Sequence, residues 1–184
     1  MVVIGLANCA AVPAGSTPTT TVKTEVSVND STKISNEGNN EMPNISIKDI
    51  EGNSVNIRSL ADSGKVTVIT FWATWCKPCL KELNNTLDLI EDWKEDYNVQ
   101  YYAVSVDDAK TTHQVKPLAT ALGYVDAYNI LLDPNRDLAR NMNVNNPPMI
   151  FIYNTSGKLV YSHMGYTEGA EYDVDDKLKE LNKN

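Results

Sequence analysis

The sequence predicts an α/β sandwich whose central sheet mixes parallel and antiparallel strands, and three observations support this fold class. Val66–Trp72 is a β-branched apolar run, as expected for a strand buried on both faces. Lys77–Tyr97 follows with apolar residues at three- and four-residue spacing, which is the period of a helix. Later in the chain, Met149–Tyr153 and Lys158–His163 flank a Thr-Ser-Gly turn and predict an antiparallel hairpin.

The other elements follow from the same two periodicities. Ile45–Ile50 and Val55–Ile57 flank Glu51-Gly52-Asn53 and predict a short hairpin before the buried strand. Beyond the long helix we predict a strand, a helix, a short strand and two further helices: Val99–Val106, Thr112–Leu122, Ile130–Leu132, Asp133–Met142 and Tyr172–Leu181.

The chain of 184 residues divides into three predicted parts: an apolar leader (1–12), a flexible polar tether (13–42) and the folded domain (43–184). The tether is predicted because 17 of the 28 residues from Ala14 to Glu41 are Ser, Thr, Asn, Gly or Pro. Such a stretch has too little apolar surface to offset the entropy that it loses on ordering.

Composition excludes several classes of protein. The net charge of −8 argues against nucleic acid or an anionic membrane surface as a partner, since both attract basic surfaces. Three cysteines are too few for a disulfide-stapled scaffold or a four-thiolate metal site. The sequence has no apolar run of about 18 residues, so it predicts no membrane-spanning segment.

Two cysteines lie between the buried strand and the long helix, in Trp75-Cys76-Lys77-Pro78-Cys79. Residues three apart in a first helical turn have Cβ atoms about 5–6 Å apart, so the thiols can bridge. Cys76 faces unpaired backbone N–H groups and the positive end of the helix dipole, which stabilise the nucleophilic thiolate. Cys79, one turn further in, is predicted to be more buried and to act as the resolving thiol. Pro78 fits the first turn, where a missing N–H costs nothing.

Two other interpretations of this pair are half of a zinc site and an inert structural disulfide. Zinc needs two further ligands, and the two histidines, His113 and His163, stand in no paired spacing, so no metal is predicted. A disulfide across a two-residue loop constrains the unfolded chain very little. The pattern therefore favours a redox role.

The segment from Phe71 to Cys79, Phe-Trp-Ala-Thr-Trp-Cys-Lys-Pro-Cys, resembles the active-site segment of the thioredoxin superfamily. Within it, the segment is most similar to the TlpA/ResA-like thiol-disulfide oxidoreductases of bacterial envelopes. The likeness runs from Pro43 to about Leu181. It implies a thioredoxin-like three-layer sandwich with an N-terminal hairpin extension and an inserted helix within residues 107–128, and an oxidoreductase without a cofactor.

This family has a cis-proline facing the disulfide, and Pro148 matches its position, although Met149 departs from the Thr that usually follows. A cis X-Pro bond lets a backbone edge face the sulfurs and pair with an extended substrate. The resemblance therefore implies a substrate-binding surface around the dithiol, formed by Trp75, Lys77, Pro78, Pro147 and Pro148.

The branches of the superfamily differ in their proton acceptor. Thioredoxins proper carry an Asp just before the Phe-Trp pair, where this chain has Thr70. The TlpA/ResA-like branch has a Glu three residues after the second cysteine, matched here by Glu82, and the resemblance implicates it in proton exchange with Cys79. A partly buried Glu82 with a raised pKa could take that role, and the alternative is a solvated helix glutamate. Asn84 replaces a proline that is common in the branch, so the helix is expected to be straighter.

The leader contains the third cysteine. Leu6-Ala7-Asn8-Cys9 resembles a bacterial lipoprotein cleavage box, in which the residue before Cys is usually small; Asn8 departs from this. The segment lacks the basic start of a secretion signal. We expect lipidation of Cys9, and the alternative is a cleaved signal in which Cys9 has no role.

The predicted function is a thiol-disulfide oxidoreductase of the bacterial envelope, periplasmic or extracytoplasmic and lipid-anchored at Cys9. The resemblance implies that it reduces protein disulfides with electrons from a membrane donor, for instance in cytochrome c maturation. Two alternatives are a thiol peroxidase on the same fold and a non-enzymatic copper carrier. The peroxidase motif Thr-x-x-Cys is absent, because Thr74 is two residues before Cys76. The carrier's wider cysteine spacing and distant His are not clearly matched either.

Overall fold

A seven-stranded mixed sheet forms the centre of the computed structural model, which describes residues 40–183. Its strands are β1 (Ser46–Asp49), β2 (Ser54–Asn56), β3 (Val66–Trp72), β4 (Val99–Ser105), β5 (Asn129–Leu132), β6 (Met149–Tyr153) and β7 (Leu159–Met164). They are arranged in the order β2-β1-β5-β4-β3-β6-β7. Strands β3, β4 and β5 pair in parallel, and the remaining pairs are antiparallel, so the predicted mixed sheet is confirmed.

Helices cover both faces of this sheet. They are α1 (Lys77–Asp96), α2 (Val115–Ala121), α3 (Tyr124–Ala127), α4 (Asp137–Asn141) and α5 (Ala170–Asn182), with short 3-10 helices at Arg58–Ser63 and Thr112–Gln114. Helix α1 lies on the face to which β3 presents Thr70, since Thr70 is hydrogen-bonded to Glu82 of α1. The opposite face presents Thr67, whose neighbour Gln100 donates to the Leu60 carbonyl of the first 3-10 helix. Every residue of β3 is buried, as a strand covered on both faces requires.

The N-terminal hairpin extends the sheet through β1, which pairs with β5. The structure describes the chain from Asn40 onward, and this residue already contacts the rest of the domain. The Asn40 carbonyl accepts from the Leu159 N–H at 2.6 Å, and the Met42 N–H donates to the Gly157 carbonyl at 3.1 Å. Met42 is also buried in the core. Residues 40–42, which the composition places at the end of the tether, therefore pack on the turn between β6 and β7, where Met42 contributes a buried apolar side chain.

Two predicted helices differ from those observed. The predicted helix at residues 112–122 is a 3-10 turn followed by α2. The helix predicted from Asp133 begins only at Asp137, because the Asp133 carboxylate accepts the N–H groups of Asp137 and Ala139 and so caps α4 from upstream. Helix α3 was not predicted, since four residues are too few to show a period.

Candidate active site

The two cysteines lie at the start of α1 as predicted. Cys76 is the N-cap residue, with an extended backbone, and its Sγ accepts the Cys79 N–H at 3.3 Å. The two residues are joined by a disulfide, with Cα atoms 5.3 Å apart. Cys76 is 5% exposed and Cys79 is 1% exposed. Cys76 is therefore the more exposed of the two residues, and its sulfur is the one that accepts a helix N–H, with Pro78 in the first turn.

Three of the five predicted substrate-binding residues flank the two cysteines in sequence. Trp75 is 58% exposed, which is unusual for a tryptophan, and Lys77 and Pro78 are also exposed. An exposed indole beside a buried disulfide supplies apolar contact area for another protein.

The peptide bond between Pro147 and Pro148 is cis, as predicted. Strand β6 begins one residue later, where Met149 is paired with Phe71 near the end of β3. The proline pair therefore lies at the same end of the sheet as the loop that leads to Cys76. The Pro148 carbonyl accepts the Gly165 N–H at 2.8 Å, and Pro147 has no N–H, so a substrate backbone can only donate hydrogen bonds to Pro147.

Glu82 is buried, so the solvated alternative is wrong. Thr70 Oγ1 donates a hydrogen bond to Glu82 Oε1 at 2.7 Å. Burial raises the pKa of Glu82 to about 7; the bond from Thr70 opposes this rise, and repulsion from Glu171 adds to it. Thr70 occupies the position where thioredoxins proper have Asp. The two positions that distinguish the branches thus meet in one hydrogen-bonded pair beneath the disulfide helix.

Glu82 also lines a narrow, partly open cleft between α1, α5 and the hairpin of β6 and β7. The cleft is bordered by Thr86, Tyr161, His163, Tyr166 and Glu171, among others. It opens to solvent on one side. Glu82 therefore borders this cleft and is not enclosed by core side chains on every side.

Helix α1 continues without interruption past Asn84. Asn84 Oδ1 accepts from the Tyr124 hydroxyl at 2.9 Å, and this hydroxyl also lies 3.1 Å from the Leu80 carbonyl. The Tyr128 hydroxyl donates to the Leu83 carbonyl at 2.7 Å. Glu82 does not turn outward, because Tyr124 of α3 and Tyr128 directly after it bond to this part of α1.

One residue near the site was not predicted to have a role. Asp107, two residues after the end of β4, is fully buried and accepts hydrogen bonds from the backbone and the hydroxyl of Thr74, in the loop before Cys76. Its position at the carboxyl edge of a parallel strand was the available signal, because such edges commonly hold functional residues.

His113 and His163 are both exposed, and in residues 40–183 no group of three or more His, Cys, Asp or Glu side chains could hold a metal ion. No helix of this described part is long and apolar enough to cross a membrane. Cys9 and the leader lie outside the described residues.

Fold and site together define a class of protein: a thioredoxin-like thiol-disulfide oxidoreductase with a Cys76–Cys79 dithiol. More particularly, the chain belongs to the AhpC/TSA family, whose model matches residues 39–162.

Relatives agree with this class. The chain is 28% identical over 141 residues to the thiol-disulfide oxidoreductase ResA of Bacillus thuringiensis (strain Al Hakam), covering 77% of this chain and 76% of that protein. It is 31% identical over 127 residues to the thioredoxin-like protein YneN of Bacillus subtilis (strain 168), covering 68% and 70%. The solution structure of an uncharacterized thioredoxin-like protein from Porphyromonas gingivalis is similar, with 44% identity, a TM-score of 0.68 and coverage of 77% and 92%.

Proposed function

We propose that the protein reduces disulfides in other proteins, with Cys76 as the attacking thiol, Cys79 as the resolving thiol and Glu82 as the proton acceptor. The observation that carries the proposal is the burial of Glu82 one turn beyond the buried Cys79, with a pKa raised to about 7. A carboxyl group with this pKa can take a proton from a buried thiol and release it again at neutral pH.

The reaction has two exchange steps. The Cys76 thiolate attacks one sulfur of the substrate disulfide, forming a mixed disulfide and releasing the other substrate sulfur as a thiolate. Cys79 then transfers its proton to the Glu82 carboxylate and attacks Cys76 Sγ. The Cys76–Cys79 disulfide forms, the second substrate thiolate leaves, and the substrate has gained two electrons.

The surroundings of the dithiol support a protein substrate. Exposed Trp75 and Pro78 offer apolar contacts, and Lys77 adds a positive charge beside the sulfurs. A substrate in extended conformation would lie against Pro147 and donate a backbone hydrogen bond to its carbonyl, since Pro148 is buried and its carbonyl already accepts from Gly165.

Single substitutions of the two cysteines and of Glu82 test this mechanism, because each changes one reacting group of the wild-type protein. Cys76→Ser should abolish the reduction of insulin disulfides, and Cys79→Ser should accumulate mixed disulfides that mass spectrometry identifies.

Glu82→Gln should slow reduction several-fold at pH 7, whereas Glu95→Gln, at an exposed position of the same helix, serves as the matched control. An unchanged rate for Glu82→Gln across pH 5 to 8 would remove the proton role. Peroxide consumption and metal content after anaerobic purification test the peroxidase and copper-carrier alternatives.

The cellular setting is also part of the proposal. We place the protein in the periplasmic or extracytoplasmic space of the bacterial envelope, anchored by a lipid on Cys9 and supplied with electrons by a membrane donor. The relatives named ResA and the lipoprotein-like segment around Cys9 support this setting. Expressed with its natural leader in a bacterium, the protein should partition into detergent and gain acyl mass. Cys9→Ser should lose both the partitioning into detergent and the acyl mass. A soluble wild-type product cleaved elsewhere in the leader would contradict the lipid anchor.

A further inference from the structure

Asp107 is a fully buried carboxylate that the mechanism above does not use. One of its oxygens, Oδ2, accepts from the Thr74 backbone N–H at 2.8 Å and from Ser105 Oγ at 2.9 Å. The other, Oδ1, accepts from Thr74 Oγ1 at 2.6 Å. Both carboxylate oxygens are therefore occupied, and two of these three donors belong to a residue just before Cys76.

The loop between β3 and α1 is held at three places. The Trp72 carbonyl accepts the Val106 N–H at 2.9 Å, and the Cys76 N–H donates to the Ala73 carbonyl at 3.0 Å. Both of these are backbone contacts, which depend little on sequence. The third is the pair of bonds from Thr74 to the Asp107 carboxylate. Both bonds come to a single buried side chain, so one substitution at residue 107 can remove this hold on the loop.

We propose that Asp107 is a positioning residue for the nucleophile. By fixing Thr74, it fixes where Cys76 enters the helix and keeps Cys76 Sγ at the N–H of Cys79. The inference deepens the proposed function, since it rests on Cys76 being the attacking thiol. Without this hold the loop can shift, and the Cys76 thiolate loses the Cys79 N–H that stabilises it. Cys76 then becomes reactive only at higher pH.

Asp133 offers a matched comparison within the same sheet. It is equally buried and follows β5, the parallel neighbour of β4. Its carboxylate also accepts backbone N–H groups, from Asp137 at 2.7 Å and Ala139 at 2.8 Å. It caps α4, however, and has no bond to the active-site loop. Loss of either carboxylate should lower stability, but only loss of Asp107 should change the reactivity of Cys76.

The test measures alkylation of the reduced full-length chain by iodoacetamide from pH 4 to pH 9, with each cysteine followed by peptide mass mapping. Asp107→Ala should lower the rate at Cys76 about tenfold at pH 6, as expected when the profile moves up by one pH unit. Asp107→Asn keeps the shape and an acceptor for the Thr74 N–H, so its rate should stay within about threefold of wild type. Asp133→Ala should leave the profile in place.

Thr74→Val removes only the hydroxyl bond and should lower the Cys76 rate at pH 6 about threefold; it decides the question if Asp107→Ala does not fold. Unchanged Cys76 profiles in Asp107→Ala and Thr74→Val, with Cys76 still labelled first in wild type, would overturn the positioning role alone. Preferential labelling of Cys79 in wild type would instead contradict the proposed function, so the two failures are distinguishable.

Discussion

The carboxyl group of Glu82 illustrates how one residue's surroundings set its chemistry. An exposed helix glutamate is ionised at neutral pH and exchanges no proton there. Burial against the sheet favours the neutral form, and the single bond from Thr70 Oγ1 does not fully offset this. Nearby Glu171 is also buried, yet its pKa is lowered: burial would raise it, but hydrogen bonds from its own backbone N–H, Tyr166, Asn85 and Gly169 outweigh that effect. Two neighbouring glutamates thus have opposite shifts.

The raised pKa of Glu82 predicts a pH-dependent stability. The group titrates near 4.5 in the unfolded chain and near 7 in the fold. Between these values the folded state binds a proton that the unfolded state lacks, so the free energy of unfolding falls as pH rises and is level above pH 7. At about 1.4 kcal/mol per pH unit, the loss is at most about 3 kcal/mol. Glu82→Gln cannot ionise, so it should gain stability relative to wild type between pH 5 and pH 8 in urea unfolding.

The comparison needs the difference between variant and wild type at each pH, because other groups titrate in the same range. Glu95→Gln, exposed on the same helix, should show no such trend. An equal difference for Glu82→Gln at pH 5 and pH 8 would mean that Glu82 is ionised throughout, and proton acceptance by it would then lose its basis.

At the scale of elements, the junction of α1 and α5 forms the wall of the cleft beside Glu82. The Tyr166 hydroxyl donates to Glu171 Oε2 at 2.8 Å and accepts from Asn85 Nδ2 at 2.7 Å, which joins the start of α5 to α1. An ion pair, Lys81 with Glu168, spans the same junction at 2.7 Å, but both side chains are more than half exposed. The two contacts have similar lengths and different surroundings.

The different surroundings of the Tyr166 and Lys81 contacts predict different contributions to the free energy of unfolding. Tyr166→Phe removes a bond to an ionised carboxylate and should lower the free energy of unfolding by about 1–2 kcal/mol. Lys81→Ala breaks an exposed pair and should change it by less than about 1 kcal/mol. Urea unfolding of both variants at pH 7 measures the two effects. A larger loss from Lys81→Ala would show that the ion pair, rather than the Tyr166 network, holds α5 to α1.

Over the whole molecule, the strands and helices predicted correctly from the sequence are those that a local pattern of residues defines. Strand β3 and helix α1 have the predicted limits to within a residue, because burial on two faces and a helical period are visible in short windows. The bond between Thr70 and Glu82 and those between Thr74 and Asp107 join residues 12 and 33 apart. Such contacts depend on strand register, which no local pattern reveals. The resemblance located Glu82 but left its burial open, and it did not point to Asp107.

The balance of charge around the dithiol determines the direction of the reaction. Groups that stabilise the Cys76 thiolate stabilise the reduced form and make the disulfide more oxidising. In the structure, Cys76 Sγ accepts one N–H, from Cys79, while Pro78 offers none. Lys77 is exposed, so water screens its charge, and the chain carries a net charge of −8, which disfavours a further anion. The thiolate is therefore only moderately stabilised.

A moderately stabilised thiolate predicts a reducing protein. Equilibrated with glutathione buffers at pH 7, the Cys76–Cys79 couple should have a potential nearer to the roughly −270 mV of thioredoxin than to the roughly −120 mV of strong oxidants. Lys77→Glu replaces the positive charge within the motif and should move the potential further negative, because the reduced form loses a favourable neighbour. A wild-type potential more positive than about −150 mV would contradict the reductant assignment and would make the protein a donor of disulfides instead.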